Sequence, residues 1–451
     1  MLKFRPAVRR VLGPIFAYPG RCSSPGRGHA QDRCGLVIET VSQGEGKHIV
    51  LYGLFGIGNT GNDATLEVTL SELRKRVPGA RFTIVASKPD VIAPHVDAPC
   101  VPIRPASRTR STLPGPFRRL QAEADRWSQA RELMRTADCL AVPGTGILDD
   151  FGSTVIGHAY PLLRWCYAAR LEGKSVKLLS IGAGPAERAW SRRLFRKVAL
   201  LADHRSYRDE KSRAFVQDVL KVDAAKDRVT PDLVFGMEID VPPPRDVIER
   251  VGIGVMEYHN WLGSEDADND AYGPYMEKLT AFCTELLNRG LELRILTGDV
   301  GDQRAIDDLL ARLRKTAPGR ERQLVAPQIR SLRELCTQIG QTDAVVATRF
   351  HTIVGALKCA RPAISIGYGA KNRAVMTAFG QGHYCHDIWN FDLDALRTQF
   401  DELSLGRTAI SERLVDVRRA MDRQVQDHFD NIAAEIEGRE RPPCAVAKLP
   451  V

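Results

Sequence analysis

Arg349 and His351, in the run Thr348-Arg349-Phe350-His351-Thr352, are the pair in this chain best suited to chemistry on a small anion. A guanidinium takes a carboxylate or phosphate through two parallel hydrogen bonds, and an imidazole holds or releases a proton near neutral pH. The apolar run DAVVA precedes the pair and IVGALKCA follows it, which predicts an extended strand exit leading into a helix. Residues two apart in an extended segment point the same way. Guanidinium, imidazole and helix N-terminus then converge on one spot, suited to an anion that must also be protonated. A polar strand end with a satisfied histidine is the plainer alternative. Gly367-Tyr368-Gly369-Ala370-Lys371 follows the next strand and brings a second cation, Lys371, toward the same place.

Three other loops carry groups able to act. Gly53-Leu-Phe-Gly56-Ile-Gly58-Asn59-Thr60-Gly61-Asn62-Asp63 contains GxGxxG between a strand and a helix. A dinucleotide site would need an acid at the end of the next strand, and that strand ends in Ser87-Lys88. The loop licenses close approach of a ligand to backbone N–H groups, with Gly58, Asn59, Gly61 and Asp63 as candidates, or it is a tight turn. Pro143-Gly144-Thr145-Gly146-Ile147-Leu148-Asp149-Asp150 keeps a cleft floor open with Gly144 and Gly146 and supplies two carboxylates. Asp149 or Asp150 would take a proton from a substrate hydroxyl, or would cap a helix. Arg208, in Tyr207-Arg208-Asp209, ends a strand and would project into a cleft as an anion clamp, or would pair with Asp209 at the surface.

The elements that must position these loops alternate short β-branched runs with longer amphipathic ones, as parallel sheets flanked by helices do. Strands are expected at 48–53, 80–86, 138–144, 176–182, 203–208 and 231–237, and a helix from about Ala64 to Arg76. After Pro242-Pro243-Pro244 the alternation restarts, with strands at 251–258, 291–298, 322–326, 343–349 and 362–368, and a long helix from about Ser411 to Glu437. The expected organisation is a disordered basic N-terminus (1–45), an N-terminal Rossmann-like domain (46–240, acceptor side), a Pro-rich linker (241–247), a C-terminal Rossmann-like domain (248–403, donor side) and a C-terminal helix and tail (404–451). The expected fold class is α/β, two Rossmann-like domains facing a cleft, with ligands at the carboxyl ends of the strands.

With 451 residues, 43% apolar and 26% charged, the composition is that of a folded globular chain. The net charge of +9 is uneven: residues 1–35 carry seven basic residues against Asp32 alone. The rest is too nearly neutral to argue for nucleic acid. The 104–135 segment holds eight arginines against three acids and reads as a solvated helix, or as a surface for an anionic polymer or membrane. The ten cysteines show no CxxC pair and no regular spacing, so no zinc site or disulfide framework is indicated, and a reducing compartment is expected. Asp266-Ala-Asp268-Asn-Asp270, with Glu277 at position twelve, mimics a calcium loop but has Ala271 where glycine is needed. His383, Cys385 and His386 lack a spaced partner pair for a metal.

Taken in order, GNTGNDA (58–64), PGTGILDD (143–150), IGAGP (181–185), YRDEKS (207–212), PDLVF (231–235), GIGVMEY (252–258), TRFH (348–351) and SIGYGAK (365–371) resemble the polysaccharide pyruvyl transferase family. The resemblance implies a GT-B-like fold and transfer of a pyruvyl group from phosphoenolpyruvate to two hydroxyls of one sugar, giving a cyclic ketal. It implies phosphoenolpyruvate as donor substrate with no further cofactor and no metal, and a saccharide acceptor, lipid-linked or polymeric. By position, Arg349 and His351 match the family's phosphoenolpyruvate motif, Arg208 its Arg-Asp motif, and Asp149 its acid after the glycine run. The expected location is cytoplasmic, with peripheral contact to the inner membrane left open. Two rival readings stand beside it. One is a nucleotide-sugar glycosyltransferase recruiting Glu257 or Asp299; the other is a non-catalytic sugar-binding protein.

Overall fold

The computed structural model describes residues 46–108, 115–150, 157–257, 272–367 and 369–439. Two parallel sheets organise the chain. The first has the strands β1 (His48–Gly53), β2 (Arg81–Ala86), β3 (Cys100–Pro102), β4 (Cys139–Pro143), β5 (Ser175–Ile181), β6 (His204–Tyr207) and β7 (Arg228–Val229), in the order β3-β2-β1-β4-β5-β6-β7. The second has β8 (Arg250–Gly254), β9 (Glu292–Leu296), β10 (Leu324–Val325), β11 (Ala344–Ala347), β12 (Ala363–Gly367) and β13 (Cys385–Asp387), in the order β10-β9-β8-β11-β12-β13. Each sheet reverses its strand order beside its first strand, at β1/β4 and at β8/β11, which is where such sheets leave a crevice for ligands.

Helices α1 (Thr60–Arg76), α2 (Pro89–Ile92), α3 (Gly115–Thr136), α4 (Ala159–Leu171), α5 (Ala189–Leu201) and α6 (Glu210–Ala214) serve the first sheet. Helices α7 (Tyr272–Asn288), α8 (Gln303–Thr316), α9 (Leu332–Gly340), α10 (Phe350–Lys358) and α11 (Ala370–Ala378) serve the second, and α12 (Leu393–Glu437) ends the described chain. The strands are apolar on both faces because both faces are covered, so β1 and β4 are buried along their whole length. One face of the first sheet packs under α3, α4 and α5, with Met134, Trp165, Phe195 and Val198 in the core. The other face joins α1 and α12 to the second sheet in one continuous apolar cluster running from Ile49 to Ile436.

Three expectations are corrected. Residues 231–237 are not a strand: Asp232 caps a 3-10 turn, Leu233–Gly236, through the Val234 N–H, and all four turn residues are buried. That segment's apolar run serves a buried turn between the sheets, which period alone cannot tell from a strand. The short edge strands β3, β7 and β13 carry too few residues to leave a periodic signal. Finally, α1 begins at Thr60 because Asn59 caps it, and α12 begins at Leu393 because Asp392 does, accepting from the Ala395 N–H at 2.7 Å. The aspartates 266, 268 and 270 lie outside the described residues.

At 45 residues, α12 is about 68 Å long. Near its start Phe400 packs on Phe282 of α7, and Arg289 of the following turn bonds Asp401 at 2.6 Å. Further on, Arg76 at the end of α1 bonds Gln426 at 2.7 Å and Asp430 at 2.5 Å. At its end Glu435 takes Lys177 of β5 at 2.9 Å and His204 of β6 at 3.1 Å. Burial would raise the Glu435 carboxyl, but these two partners outweigh it and bring it down to about 2. A carboxyl depressed in the fold contributes stability above its ordinary range and loses it as pH falls toward 2. Glu435→Gln strands Lys177, whose side chain is 5% exposed, and is expected to cost roughly 3 kcal/mol in urea unfolding at pH 7. The deficit should shrink steadily below pH 4, and a constant deficit from pH 7 to pH 3 would show that the pair is not its source.

Candidate active site

The crevice is built where β1, β6, β9, β11 and β12 end. Helix α10 starts at Phe350, one turn sooner than an extended exit would allow, so Arg349 is its N-cap and His351 sits in its first turn. The expected extended segment is therefore corrected, and with it the common direction of the two side chains. Arg349 lays Nε and Nη2 on the carboxylate of Asp302, at 2.8 and 2.5 Å. Asp302 is fully buried and also accepts from the Glu257 N–H at 3.0 Å and the Thr297 hydroxyl at 3.1 Å. That edge of the guanidinium is committed to the protein. Its Nη1 stands 3.9 Å from Asp299, whose carboxyl is raised by burial against the pull of Arg349.

His351 lies against the backbone of Gly61 in the first turn of α1. A Cβ on Gly61 would stand 2.0 Å from its Nε2, so only glycine admits the ring. The contact brings the N-termini of α1 and α10 together, one from each sheet. The neighbouring bonds seal the same seam: the Thr60 hydroxyl donates to Gly298 O at 2.8 Å, and Asn59 bridges Asp299.

Two more cations face the ring of Phe350 beside His351. The Arg208 guanidinium lies 5.0 Å from its centroid and Lys371 Nζ 5.6 Å. Gly182 makes room for Arg208, since a Cβ there would meet Nη2 at 2.6 Å. The carboxylates nearest Arg208, on Asp209 and Asp232, are at 3.7 Å from Nε and 3.8 Å from Nη1, beyond hydrogen-bond length, and the buried Nε makes no hydrogen bond among the described residues. His351 is consequently pushed down to about 3, first by burial and then by Lys371, Arg208 and Arg349. It is neutral at pH 7 until something negative arrives.

The two glycine loops are placed differently. Gly56 and Gly58 take positive φ angles of 79° and 95°, and Asp63 spends its carboxylate on the Gly56 N–H at 2.8 Å, so Asp63 shapes the loop. Asn59 caps α1 through the N–H groups of Gly61 and Asn62. Gly144 allows Ser180 O of β5 to come within 2.6 Å of where its Cβ would be, and Gly146 makes similar room for Asp149. Leu148 pairs with Ala183, next to the Gly182 that touches Arg208, which brings this loop to the edge of the cationic cluster. Asp150 is corrected as a candidate base. Burial raises its carboxyl, but the Arg188 and Glu187 N–H groups, each at 3.0 Å, overcome that and hold it low, so it anchors the entry to α5. Asp149, the other acid of this loop, is half-buried.

Sequence reasoning missed Asp302, Gly182 and Asn372. Asn372 is 1% exposed and donates Nδ2 to Thr348 O and Ser365 Oγ, both at 3.1 Å, tying the exit of β11 to β12. It lines a cavity of about 190 Å³, with Arg373, His386 and Asp387, at the carboxyl ends of β12 and β13. Asn372 Oδ1 and His386 Nε2 are buried and without partners among the described residues. The only signal for Asp302 was its place after a strand of the same sheet.

The profile of polysaccharide pyruvyl transferases matches residues 59–369, which include Gly61, Asp149, Arg208, Asp302, Arg349 and His351 and stop just before Lys371. The chain belongs to the polysaccharide pyruvyl transferase family. No functionally curated protein matches it in sequence. Among solved structures it is similar to the UDP complex of S. aureus MnaA, at 10% identity over 88% of this chain and 99% of that one, with a TM-score of 0.56. It is also similar to a glycosyltransferase from Rickettsia africae ESF-5, at 11% identity over 88% and 100%, with a TM-score of 0.54. UDP-GlcNAc 2-epimerase from Neisseria meningitidis bound to UDP-GlcNAc follows, at 10% identity over 84% and 97%, with a TM-score of 0.51. At these identities the likeness is one of fold, and it places the family member among the two-sheet GT-B-like proteins.

The crowding of cations makes a direct prediction for the unliganded protein. The His351 ring resonances should remain those of a neutral imidazole from pH 8 down to pH 5. In Lys371→Ala the midpoint should rise, because the strongest of the repelling charges is gone. An ordinary midpoint near 6.5 in the unmodified protein would mean that the ring is not held in this field.

Proposed function

We propose that this protein transfers the pyruvyl group of phosphoenolpyruvate to two hydroxyls of a saccharide, forming a cyclic ketal and releasing phosphate. The observation that carries this reading is the junction of Arg208 and Lys371 on Phe350 with His351 between two helix N-termini. Arg208 meets its neighbouring carboxylates only beyond hydrogen-bond length, and phosphoenolpyruvate carries a carboxylate and a phosphate on adjacent positions. Arg208 and Lys371 suit those two anions. Arg349, held on Asp302, adds field and fixes the start of α10.

His351 then works as an acid only when the donor is bound. The incoming anion raises its pKa, and the ring takes up a proton and delivers it to the methylene carbon of the donor. The cation left at the neighbouring carbon is captured by one sugar hydroxyl, whose proton passes to Asp149. Departure of phosphate regenerates the cation, and the second hydroxyl closes the ring. Of the two hydroxyl protons, one balances the new methyl group and the other leaves with phosphate. The cavity beyond Lys371 suits a single sugar ring in size, with Asn372 Oδ1 and Asp387 as acceptors and Arg373 and His386 as donors.

Calorimetric titration tests the donor. Phosphoenolpyruvate should bind saturably to the unmodified protein, and Arg208→Ala should weaken it at least tenfold with the fold intact. Binding should also take up protons from the buffer at pH 7, because His351 becomes charged. Activity should fall as pH rises above the pKa of His351 in the complex, and a rate that stays flat to pH 9 would remove His351 as the acid. Failure to bind phosphoenolpyruvate together with saturable binding of a UDP-sugar would favour the glycosyltransferase reading.

A further inference from the structure

The layer of α3, α4 and α5 covers the outer face of the first sheet and leaves its own outer surface bare. These three helices carry eleven Arg and Lys residues against three acids. Arg164 is buried on Glu123, Arg131 and Arg135 share Glu172, and Arg170 pairs with Asp203, which leaves the excess of basic charge toward the N-terminus of α3 and along α5. Among the described residues twelve large hydrophobic side chains are exposed, and six lie here: Phe117, Leu120, Tyr167, Leu171, Trp190 and Leu200. Apolar side chains exposed beside basic ones are the pattern of a surface that lies on anionic lipid.

Their positions along the helices sharpen this. Each helix precedes a parallel strand and runs back against it, so the N-termini of α3 and α5 stand at the carboxyl ends of the strands, the rim that bears the candidate site. The 22 residues of α3 span about 33 Å, whereas the five to seven residues of β1, β4 and β5 span roughly 17–23 Å. The first turns of α3 therefore stand beyond the rim. They hold Phe117, 62% exposed, and Leu120, 70% exposed, with Arg118 and Arg119 between them. Trp190, 49% exposed, opens α5, followed along the same face by Arg193 and Lys197.

We propose that this rim docks on an anionic lipid bilayer, with Phe117, Leu120 and Trp190 entering the interface and Arg118, Arg119 and Arg193 on the headgroups. An anionic polymer would satisfy the arginines but would give Phe117 and Leu120 no apolar phase. The surface stands on its own observations. That the lipid carries the saccharide acceptor rests on the pyruvyl-transfer reading, since it would present a membrane-anchored sugar to the cleft at the same rim.

Vesicle flotation of the full chain decides it, using phosphatidylglycerol–phosphatidylethanolamine vesicles and neutral phosphatidylcholine vesicles as the probes. The protein should float with the anionic vesicles and not with the neutral ones, and release at 0.5 M salt. Phe117→Ser/Leu120→Ser/Trp190→Ser should reduce the partition coefficient at least tenfold, and Arg118→Gln/Arg119→Gln by about fivefold per arginine. Because the basic residues 1–35 are present in every variant, the loss reports on the helices. Equal flotation of the unmodified protein and the triple variant would overturn the proposal. So would binding of an anionic polysaccharide without vesicle binding, or concentration-dependent self-association abolished by the triple variant in place of flotation. The triple variant should still bind phosphoenolpyruvate. If flotation behaves as stated but phosphoenolpyruvate binds neither protein, the surface stands and the pyruvyl-transfer reading fails.

Discussion

Like charges do not gather without restraint, and the site depends on how this fold restrains them. Arg208, Arg349 and Lys371 come from three loops and two sheets, and each repels the others and a protonated His351. Three devices hold them. The buried carboxylate of Asp302 takes one edge of Arg349; the π face of Phe350 takes Arg208 and Lys371; and the imidazole stays neutral. Asp302 in turn is fixed by the Glu257 N–H and Thr297 hydroxyl. A cluster restrained in this way is ready for a small anion with little reorganisation, which is the condition under which electrostatic stabilisation is strongest.

The backbone contributes as much as the side chains. Gly61 and Gly182 are where the His351 and Arg208 rings and guanidinium pass closest to the main chain, and any Cβ there would push a functional group out. Thr60 and Asn59 then stitch the α1 end to the exit of β9. Glycine here is a matter of room beside the residue. At Gly56 and Gly58 it is also a matter of backbone angle.

Much of this was legible in the sequence, and for identifiable reasons. The strands β1, β4, β5, β8 and β11 carry dense apolar runs because both their faces are covered, so the βα alternation and the restart after Pro242–Pro244 could be read directly. Arg349 and His351 could be found because they follow such a run in β11, and Lys371 because it follows the apolar run of β12, whereas Arg208 follows the polar strand β6 and was found from its place at a strand end. What could not be read was the direction of a side chain once a strand had ended. An early start of α10 sends Arg349 to Asp302, and the two N–H groups preceding α5 claim Asp150. Both outcomes turn on one or two backbone angles, below the grain of any periodic pattern. The pairing of Gly61 with His351 spans 290 positions and leaves no local trace.

Helix α12 has a consequence for traffic through the crevice. It is bonded to α7 beside the second sheet, to α1 between the sheets and to β5 and β6 of the first, while an apolar cluster runs without interruption through the same region. A rigid rod fastened at three stations resists the hinge bending by which many two-lobed enzymes open and close. Any opening of the crevice would then have to come from short segments at its mouth rather than from whole lobes. Solution scattering would show nearly the same particle with the crevice empty or filled.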